Sequence, residues 1–342
     1  MRRGSISRRG LAAFGLAVTA LTAACSGNGA EKRAASESAT SATTASTTES
    51  STTSTTAAPA TGTTKVTTTP TTAAPKPATS APTTKPASGP VLVPKANVVV
   101  AAAPTDPVEL ARLADGLVSA EKALRSPDTP PDQISGLARA AQAAYRAVSA
   151  RPEALPRVLE RVPAALRPVV EANVTAGAEL RALTKPRTEL PPWRIVTPPP
   201  AEELEGYYKE AEGRSGIPWR FLAAVHLVET RMGRIRGTST AGAEGPMQFL
   251  PSTWAKYGEG GDINSARDSI LAAARYLKAN GGPGDMAKAL YAYNHSNHYV
   301  RAVTLYADQI AAEPRIYPAY WNWQVYYITT VGDVWLEEGY GT

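Results

Sequence analysis

The sequence predicts a mainly α-helical protein. Between residues 106 and 183, apolar side chains recur at helical spacing. From residue 200 onward, helical segments open at proline or serine and stop at glycine. No series of alternating strands appears in either part. We therefore expect helices to form the core, behind a long N-terminal region with a different composition.

Residues 1–24 have the layout of an export signal. Four arginines precede an apolar stretch that is too short to remain in a bilayer as a spanning helix. The segment SRRGLA also resembles a twin-arginine signal. Cys25, the only cysteine, follows directly and matches the acylated position of a bacterial lipoprotein signal, although the preceding LTAA departs from the usual pattern. We expect an exported envelope protein, lipid-anchored to the outer face of the plasma membrane; the alternative is a stray cysteine beside an ordinary cleavage site.

Residues 25–105 are predicted to be a disordered linker. From about residue 34 to residue 90 nearly every side chain is Ser, Thr, Ala or Pro, which cannot bury enough apolar surface to offset the entropy of ordering. The formal charge is +6, and removal of the four signal arginines leaves +2. So small an excess of charge gives no support for a nucleic-acid partner.

Four further segments follow. Residues 106–185 are predicted to be a small helical subdomain with Asp106 as an N-cap, and residues 186–199 a proline-rich hinge. Residues 200–312 form the candidate catalytic domain, and residues 313–342 an aromatic-rich extension. All six Trp, all three His and 13 of the 14 Tyr lie after residue 190. That enrichment fits either a large core or a cleft with flat apolar faces for sugar rings.

Glu229 is the residue that stands out. It lies in the apolar stretch FLAAVHLVETRMG, which predicts a buried central helix over residues 218–232 that stops at Gly233. A buried carboxylate without a paired cation has a raised pKa, as a general acid requires. The structural alternative is an ion pair with Arg231 or Arg234, but neither is at helical spacing from Glu229.

Histidine supplies a rival interpretation. His226 with Glu229, and His295 with His298, form two helix-compatible pairs that would suit zinc if they converged. Neither pair has the HExxH arrangement, and a histidine on an apolar helix is more often a core residue. The sequence also contains no GxSxG elbow and no phosphate-binding glycine loop.

Four motifs identify a family resemblance. VETRMGR, GAEGPMQFLPSTW, DSILAAARYLKANGG and LYAYNHSNHYVRAV occur in this order over about residues 200–312. Together they resemble the catalytic domain of lytic transglycosylases, which cleave peptidoglycan and are related to goose-type lysozyme. The pattern is most similar to the membrane-bound lytic transglycosylase B type. The resemblance implies a mainly α, lysozyme-like fold with a cleft for the glycan.

The resemblance also implies roles for individual residues. Glu229 matches the catalytic acid/base, and Tyr293 is expected near it, helping to position it. The residues expected to contact substrate are Met247, Gln248, Ser252, Tyr293 and Asn294. Each also has a plain structural interpretation, such as helix capping for Ser252 and core packing for Tyr293.

No metal or other cofactor is expected. Relatives often carry a calcium-like acidic loop after the PSTW helix, but the corresponding GEGGDINSARD is too poor in oxygen ligands for an EF-hand. Gly242 and Gly245 are expected to let the backbone approach a sugar ring closely.

The prediction is a metal-independent lytic transglycosylase that acts on peptidoglycan glycan strands and forms 1,6-anhydroMurNAc ends. The alternatives are a catalytically silent protein that binds the cell wall and a zinc-dependent wall hydrolase. Only a few carboxylates lie near the glycine-rich loops, namely Glu244, Glu259 and Asp262. None of them has the apolar setting of Glu229, although the sequence leaves Glu244 open as a second acid.

Overall fold

The computed structural model describes residues 99–342 and is mainly helical there. The predicted export signal, the lipidation site at Cys25 and the linker up to residue 98 lie outside the described residues. The helices of the N-terminal part are α1 (Pro107–Arg125), α2 (Pro131–Ala150), α3 (Leu155–Arg161) and α4 (Arg167–Ala182). Those that follow are α5 (Ala201–Ser215), α6 (Trp219–Thr230), α7 (Pro251–Tyr257), α8 (Ala266–Ala279), α9 (Met286–Tyr293), α10 (Asn297–Ala312) and α11 (Tyr317–Trp321).

Helices α1 to α4 pack on one another, and α4 packs on α10. The predicted N-cap is confirmed, since the Asp106 carboxylate accepts hydrogen bonds from the backbone N–H groups of Val108 and Glu109 at 3.0 and 2.9 Å. Because α4 lies along α10, the first four helices share one continuous apolar core with the helices that follow.

Helix α6 is the centre of the second group of helices. It contacts α5, α8 and α10, and every residue from Phe221 to Thr230 is buried. An apolar surface on all sides suits that position. The predicted helix end at residue 232 is wrong by two residues: α6 ends at Thr230, because Arg231 adopts a left-handed conformation and caps it.

Two small sheets add to the helices. In the first, β4 (Val325–Thr329) and β5 (Gly332–Leu336) form an antiparallel hairpin, and β1 (Val99–Val100) pairs with β5. In the second, β2 (Arg194–Ile195) pairs antiparallel with β3 (Ile235–Arg236).

These strands correct two expectations. The linker was predicted to run to residue 105, but Val99 and Val100 pair with β5, and Ala103 is buried and donates its N–H to the Ala147 carbonyl. The hairpin was also not predicted, although Val325, Tyr327 and Thr329 alternate with less buried residues in the period-two pattern of a strand.

Ion pairs and hydrogen bonds attach the C-terminal hairpin to α2 and α4. Asp333 of β5 is 1% exposed and forms ion pairs with Arg146 of α2 and Arg181 of α4 at 2.6 and 2.7 Å. Gln142 of α2 exchanges two side-chain hydrogen bonds with the backbone of Gln324. Removal of the Asp333 carboxylate would leave two uncompensated guanidinium charges, at a cost of about 3–5 kcal/mol. The hairpin is therefore an integral part of the fold.

Candidate active site

Glu229 lies in the last turn of α6 and is 2% exposed. No ion pair to it is present among the described residues. Arg231 instead donates to the Leu227 carbonyl, and Arg234 donates to the Trp321 carbonyl. The alternative of an ion pair between Glu229 and either arginine is therefore wrong. The negative end of the helix dipole is also nearby and disfavours a carboxylate at this position.

One hydrogen bond holds Glu229 in place. The Tyr299 hydroxyl of α10 donates to Oε1 at 2.7 Å, while Oε2 has no hydrogen-bond partner in the described part of the chain. Burial raises the pKa of Glu229 to about 8, and the bond from Tyr299 opposes that rise. A carboxyl with this pKa is mostly protonated at neutral pH, and Oε2 is the oxygen that has no hydrogen-bond partner among the described residues.

Tyr293 lies near Glu229, as predicted, but its hydroxyl does not bond to the acid. Its hydroxyl donates to the Met247 carbonyl at 2.7 Å, so it holds the GPMQ loop rather than the acid. Its ring lies parallel to that of Tyr299, with 6.4 Å between the ring centroids. The positioning contact to Glu229 thus comes from Tyr299, which the sequence analysis missed. Tyr299 shares its helical spacing with other buried residues of α10, so its only sequence signal was that of a core residue.

The GPMQ loop is tied directly to the end of α6. The Thr230 hydroxyl donates to the Pro246 carbonyl at 2.6 Å and accepts from the Gly233 N–H at 3.0 Å. Gln248 has a positive φ of 51° and donates its side-chain amide to the Gly245 carbonyl at 3.0 Å. Left-handed non-glycine residues concentrate at functional sites, where the surrounding structure offsets their strain.

Gly245 is required for a contact within the protein. Its φ is +75°, and a Cβ at this position would lie 2.0 Å from the Ile263 carbonyl oxygen. This contact by itself accounts for the glycine, and the close approach of a sugar ring stays a prediction. Gly242 also has a positive φ of +82°, but a Cβ there would meet nothing within 4 Å.

Glu229 lines a cleft of about 460 Å³. Part of its lining consists of Ile235, Gly237, Thr238, Ser239, Thr240 and Gln248. Residues 187–193, here called the Pro-rich wall, and Tyr327 of the hairpin also line it. Segment 186–199, predicted to be a hinge, thus supplies part of the lining. The Trp193 and Tyr327 rings meet edge to face, with 5.4 Å between their centroids.

The C-terminal extension holds the Pro-rich wall in place. Arg187 exchanges backbone hydrogen bonds with Ile328 and Thr330, at 3.1 and 3.0 Å. At the other end of the wall, the Tyr340 hydroxyl donates to the Pro191 carbonyl at 2.7 Å. The extension therefore both supports the cleft and contributes Tyr327 to its lining.

The predicted substrate residues are distributed unevenly. Gln248 lines the cleft together with Glu229. Met247, Tyr293 and Asn294 are buried and are not among the lining residues, and Ser252 is exposed in the first turn of α7. The buried Met247 side chain therefore anchors the GPMQ loop in the core, and Tyr293 holds the loop through the Met247 carbonyl.

The histidines do not converge. His226 is fully buried, with Nδ1 2.7 Å from the Tyr208 hydroxyl, and burial lowers its pKa to about 3. His298 instead pairs with Glu179, and His295 packs on the Tyr291 ring. Within residues 99–342, no group of three or more His, Cys, Asp or Glu side chains could hold a metal ion. The zinc arrangement that the sequence left open is therefore not formed by these residues.

Known proteins resemble the part of the chain that contains this site. Residues 206–313 match the family model described as "Transglycosylase SLT domain". A curated relative, "Membrane-bound lytic murein transglycosylase F" of Thiobacillus denitrificans, is 32% identical over 120 residues, which cover 33% of this chain and 25% of the relative. The chain thus spans about a quarter of the length of the relative it matches. No solved structure matches.

These matches confirm that this part of the chain resembles a transglycosylase domain. They do not test the similarity to the B type, which stays a prediction. The matched region contains Glu229, Gln248 and Tyr299. The Pro-rich wall and Tyr327 lie outside it.

Proposed function

We propose that this protein is an exported peptidoglycan lytic transglycosylase in which Glu229 is the single acid/base. The observation that carries this proposal is the buried Glu229 at the edge of a cleft, with one oxygen held by Tyr299 and the other without a partner. The transglycosylase domain match and the relative's name supply the substrate class.

The proposed reaction breaks the bond between C1 of MurNAc and the oxygen on C4 of GlcNAc. Glu229 gives its proton to that leaving oxygen, and the N-acetyl carbonyl oxygen of MurNAc attacks C1 as positive charge develops there. The C6 hydroxyl of the same sugar then attacks C1, displaces the N-acetyl oxygen and returns its proton to Glu229. The product is a 1,6-anhydroMurNAc end. A nucleophile within the substrate avoids the entropy cost of holding a water molecule.

The carboxylates around the cleft support a single acid. A glycosidase that retains or inverts its substrate generally needs a second carboxyl group opposite the first. Glu189 of the Pro-rich wall lines the same cleft, but it is exposed. Glu244 lines a neighbouring pocket, and Glu259 pairs with Arg275 at 3.1 Å. None has the buried, apolar setting of Glu229, and Glu189 replaces Glu244 as the first residue to test if the products are hydrolytic.

The proposal includes an envelope location. Lipidation at Cys25 would attach the protein to the membrane, and residues 25–98 would give the catalytic part reach into the wall. None of the described helices is both long enough and apolar enough to span a bilayer. Membrane fractions of cells that express the parent or Cys25→Ala test this: the parent should pellet with membranes, whereas an equal distribution of the two would contradict the anchor.

The activity is tested with purified peptidoglycan and two proteins, the parent and Glu229→Gln. The amide keeps the shape of the side chain but cannot exchange the proton, and positioned acid–base catalysis supplies about 10²–10⁴-fold. We expect the parent to release soluble fragments and the variant to lose that activity while still sedimenting with the wall. Binding without release by the parent would favour the silent wall-binding alternative. Equal release by both proteins would contradict the role of Glu229.

A further inference from the structure

The ladder between β2 and β3 places two arginines directly opposite each other. Arg194 pairs with Arg236, and Ile195 pairs with Ile235. Opposite residues of an antiparallel pair project from the same face, with Cβ atoms about 4.5–5.5 Å apart, and like charges there are destabilising. Among the described residues, neither arginine has an ion-pair partner within 4.0 Å. The fold therefore retains a local repulsion that no described carboxylate relieves.

Both arginines line a pocket of about 480 Å³. This pocket adjoins the cleft of Glu229, since both are lined by Pro192, Ile235, Gly237 and Thr238. A substrate that occupies the cleft thus lies next to this pocket.

The charge in this pocket favours an anion. Glu244 is the single carboxylate among its described lining residues, against two guanidinium groups. Arg236 is half-buried, and its one side-chain hydrogen bond to the described residues is a long one of 3.4 Å to the Asn264 carbonyl. Burial lowers the pKa of Arg236, and the neighbouring charge of Arg194 lowers it further. A bound anion would relieve that repulsion and would fill the free donor positions of both side chains.

We propose that Arg194 and Arg236 form a subsite for a carboxylate of the peptide stem that peptidoglycan carries on MurNAc. The assignment rests on the proposed function, because the stem is attached to the sugar whose bond Glu229 would cleave. Arginine suits this ligand because its planar donors match the two oxygens of a carboxylate. Arg194 lies outside the matched transglycosylase domain, so this subsite combines that domain with the segment before it.

The test compares soluble, uncross-linked glycan strands that differ only in the stem. In one preparation the stem carboxylates are free, and in the other they have been amidated with carbodiimide and ammonia. The readout is the ratio of kcat/KM for the two preparations. We expect the parent to prefer the free carboxylates by about fivefold to tenfold at low salt, and less at high salt because the pocket is open to solvent.

The double variant Arg194→Gln with Arg236→Gln should lose this preference. Arg194→Lys with Arg236→Lys should retain part of it. The matched control changes two exposed arginines of α1 and α3, Arg112→Gln with Arg157→Gln, and should keep the parent's ratio. A parent without a preference, or a Gln double variant that keeps it, would overturn the subsite.

Two further measurements separate this proposal from its alternatives. A purely structural role for the arginines predicts a lower melting temperature for the Gln double variant, whereas relief of repulsion predicts an equal or higher one.

If the parent cleaves neither preparation, the proposed function fails, and calorimetric titration with the free stem peptide tests the subsite alone. Binding of the acid form but not of its amide, and its loss in the Gln double variant, would support the subsite. No binding by the parent would overturn it.

Discussion

Replacing Glu229 by Gln should stabilise this protein at neutral and alkaline pH. Folding raises the pKa of Glu229 from 4.5 to about 8, chiefly through burial. Between those values the folded protein keeps a proton that the unfolded chain has released, so the stability of the parent falls as pH rises through this window. A glutamine at the same position has no proton to lose and avoids this cost.

The magnitude follows from the two pKa values. Each pH unit between them costs the parent roughly 1.4 kcal/mol, which gives roughly 3 kcal/mol at pH 7 and roughly 5 kcal/mol above pH 8. At pH 4 both side chains are neutral, and Tyr299 can donate to the Gln Oε1 as it does to Oε1 of Glu229. The two proteins should therefore have similar stability at pH 4. For a chain of this size the difference at pH 7 corresponds to roughly 5–10 °C in melting temperature.

The assay is thermal unfolding of parent and Glu229→Gln, followed by circular dichroism at several pH values from 4 to 9. The quantity of interest is the difference between the two melting temperatures at each pH, because other ionisable groups affect both proteins alike. We expect a difference near zero at pH 4 that grows in favour of the variant up to about pH 8. A difference that does not change with pH would mean that Glu229 is already ionised in the fold at neutral pH. The assignment of Glu229 as the acid would then lose its physical basis.

Three further predictions test the site. The kcat/KM of the parent should fall as pH rises through about 8, because Glu229 must be protonated to donate; a rate that stays constant to pH 9.5 would contradict this. Tyr299→Phe removes the hydrogen bond that lowers the pKa of Glu229. The fall of kcat/KM at alkaline pH should therefore move to higher pH. An unchanged pH dependence would show that this contact does not act on the acid. Gly245→Ala should lower the free energy of unfolding by about 2 kcal/mol or more, because its Cβ would collide with the Ile263 carbonyl. The control Gly242→Ala should cost less, since its Cβ would meet nothing within 4 Å. Equal costs would contradict the close contact.

Glu229 and its burial were predictable because their signal is local. A carboxylate in a helix that is apolar on all sides has to be buried, whatever the rest of the chain does. The N-cap at Asp106 was predictable for the same reason, since its partners are two and three residues away. The end of α6 was placed too late because Gly233 offered an obvious stop, whereas Arg231 adopted the left-handed conformation first.

The partners of Glu229 depend on tertiary structure. Tyr299 lies 70 residues along the chain, and nothing in its local pattern separates a hydrogen-bond donor from a core aromatic residue. The Pro-rich wall was interpreted as a hinge because prolines interrupt helices. Only its pairing with the C-terminal extension shows that it borders the cleft. Tyr327 had a usable signal in the alternation of its strand, but which face would meet the cleft depended on the docking of the hairpin.

The central claim, that Glu229 drives an intramolecular transfer, is tested most directly by the ends of the product. Purified peptidoglycan is digested with the parent, and the released fragments are analysed by mass spectrometry. We predict MurNAc ends that are lighter than reducing ends by the mass of one water, which marks the 1,6-anhydro form, and their absence with Glu229→Gln. Ordinary reducing MurNAc ends as the main product of the parent would contradict the claim and indicate a hydrolase in which water is the nucleophile.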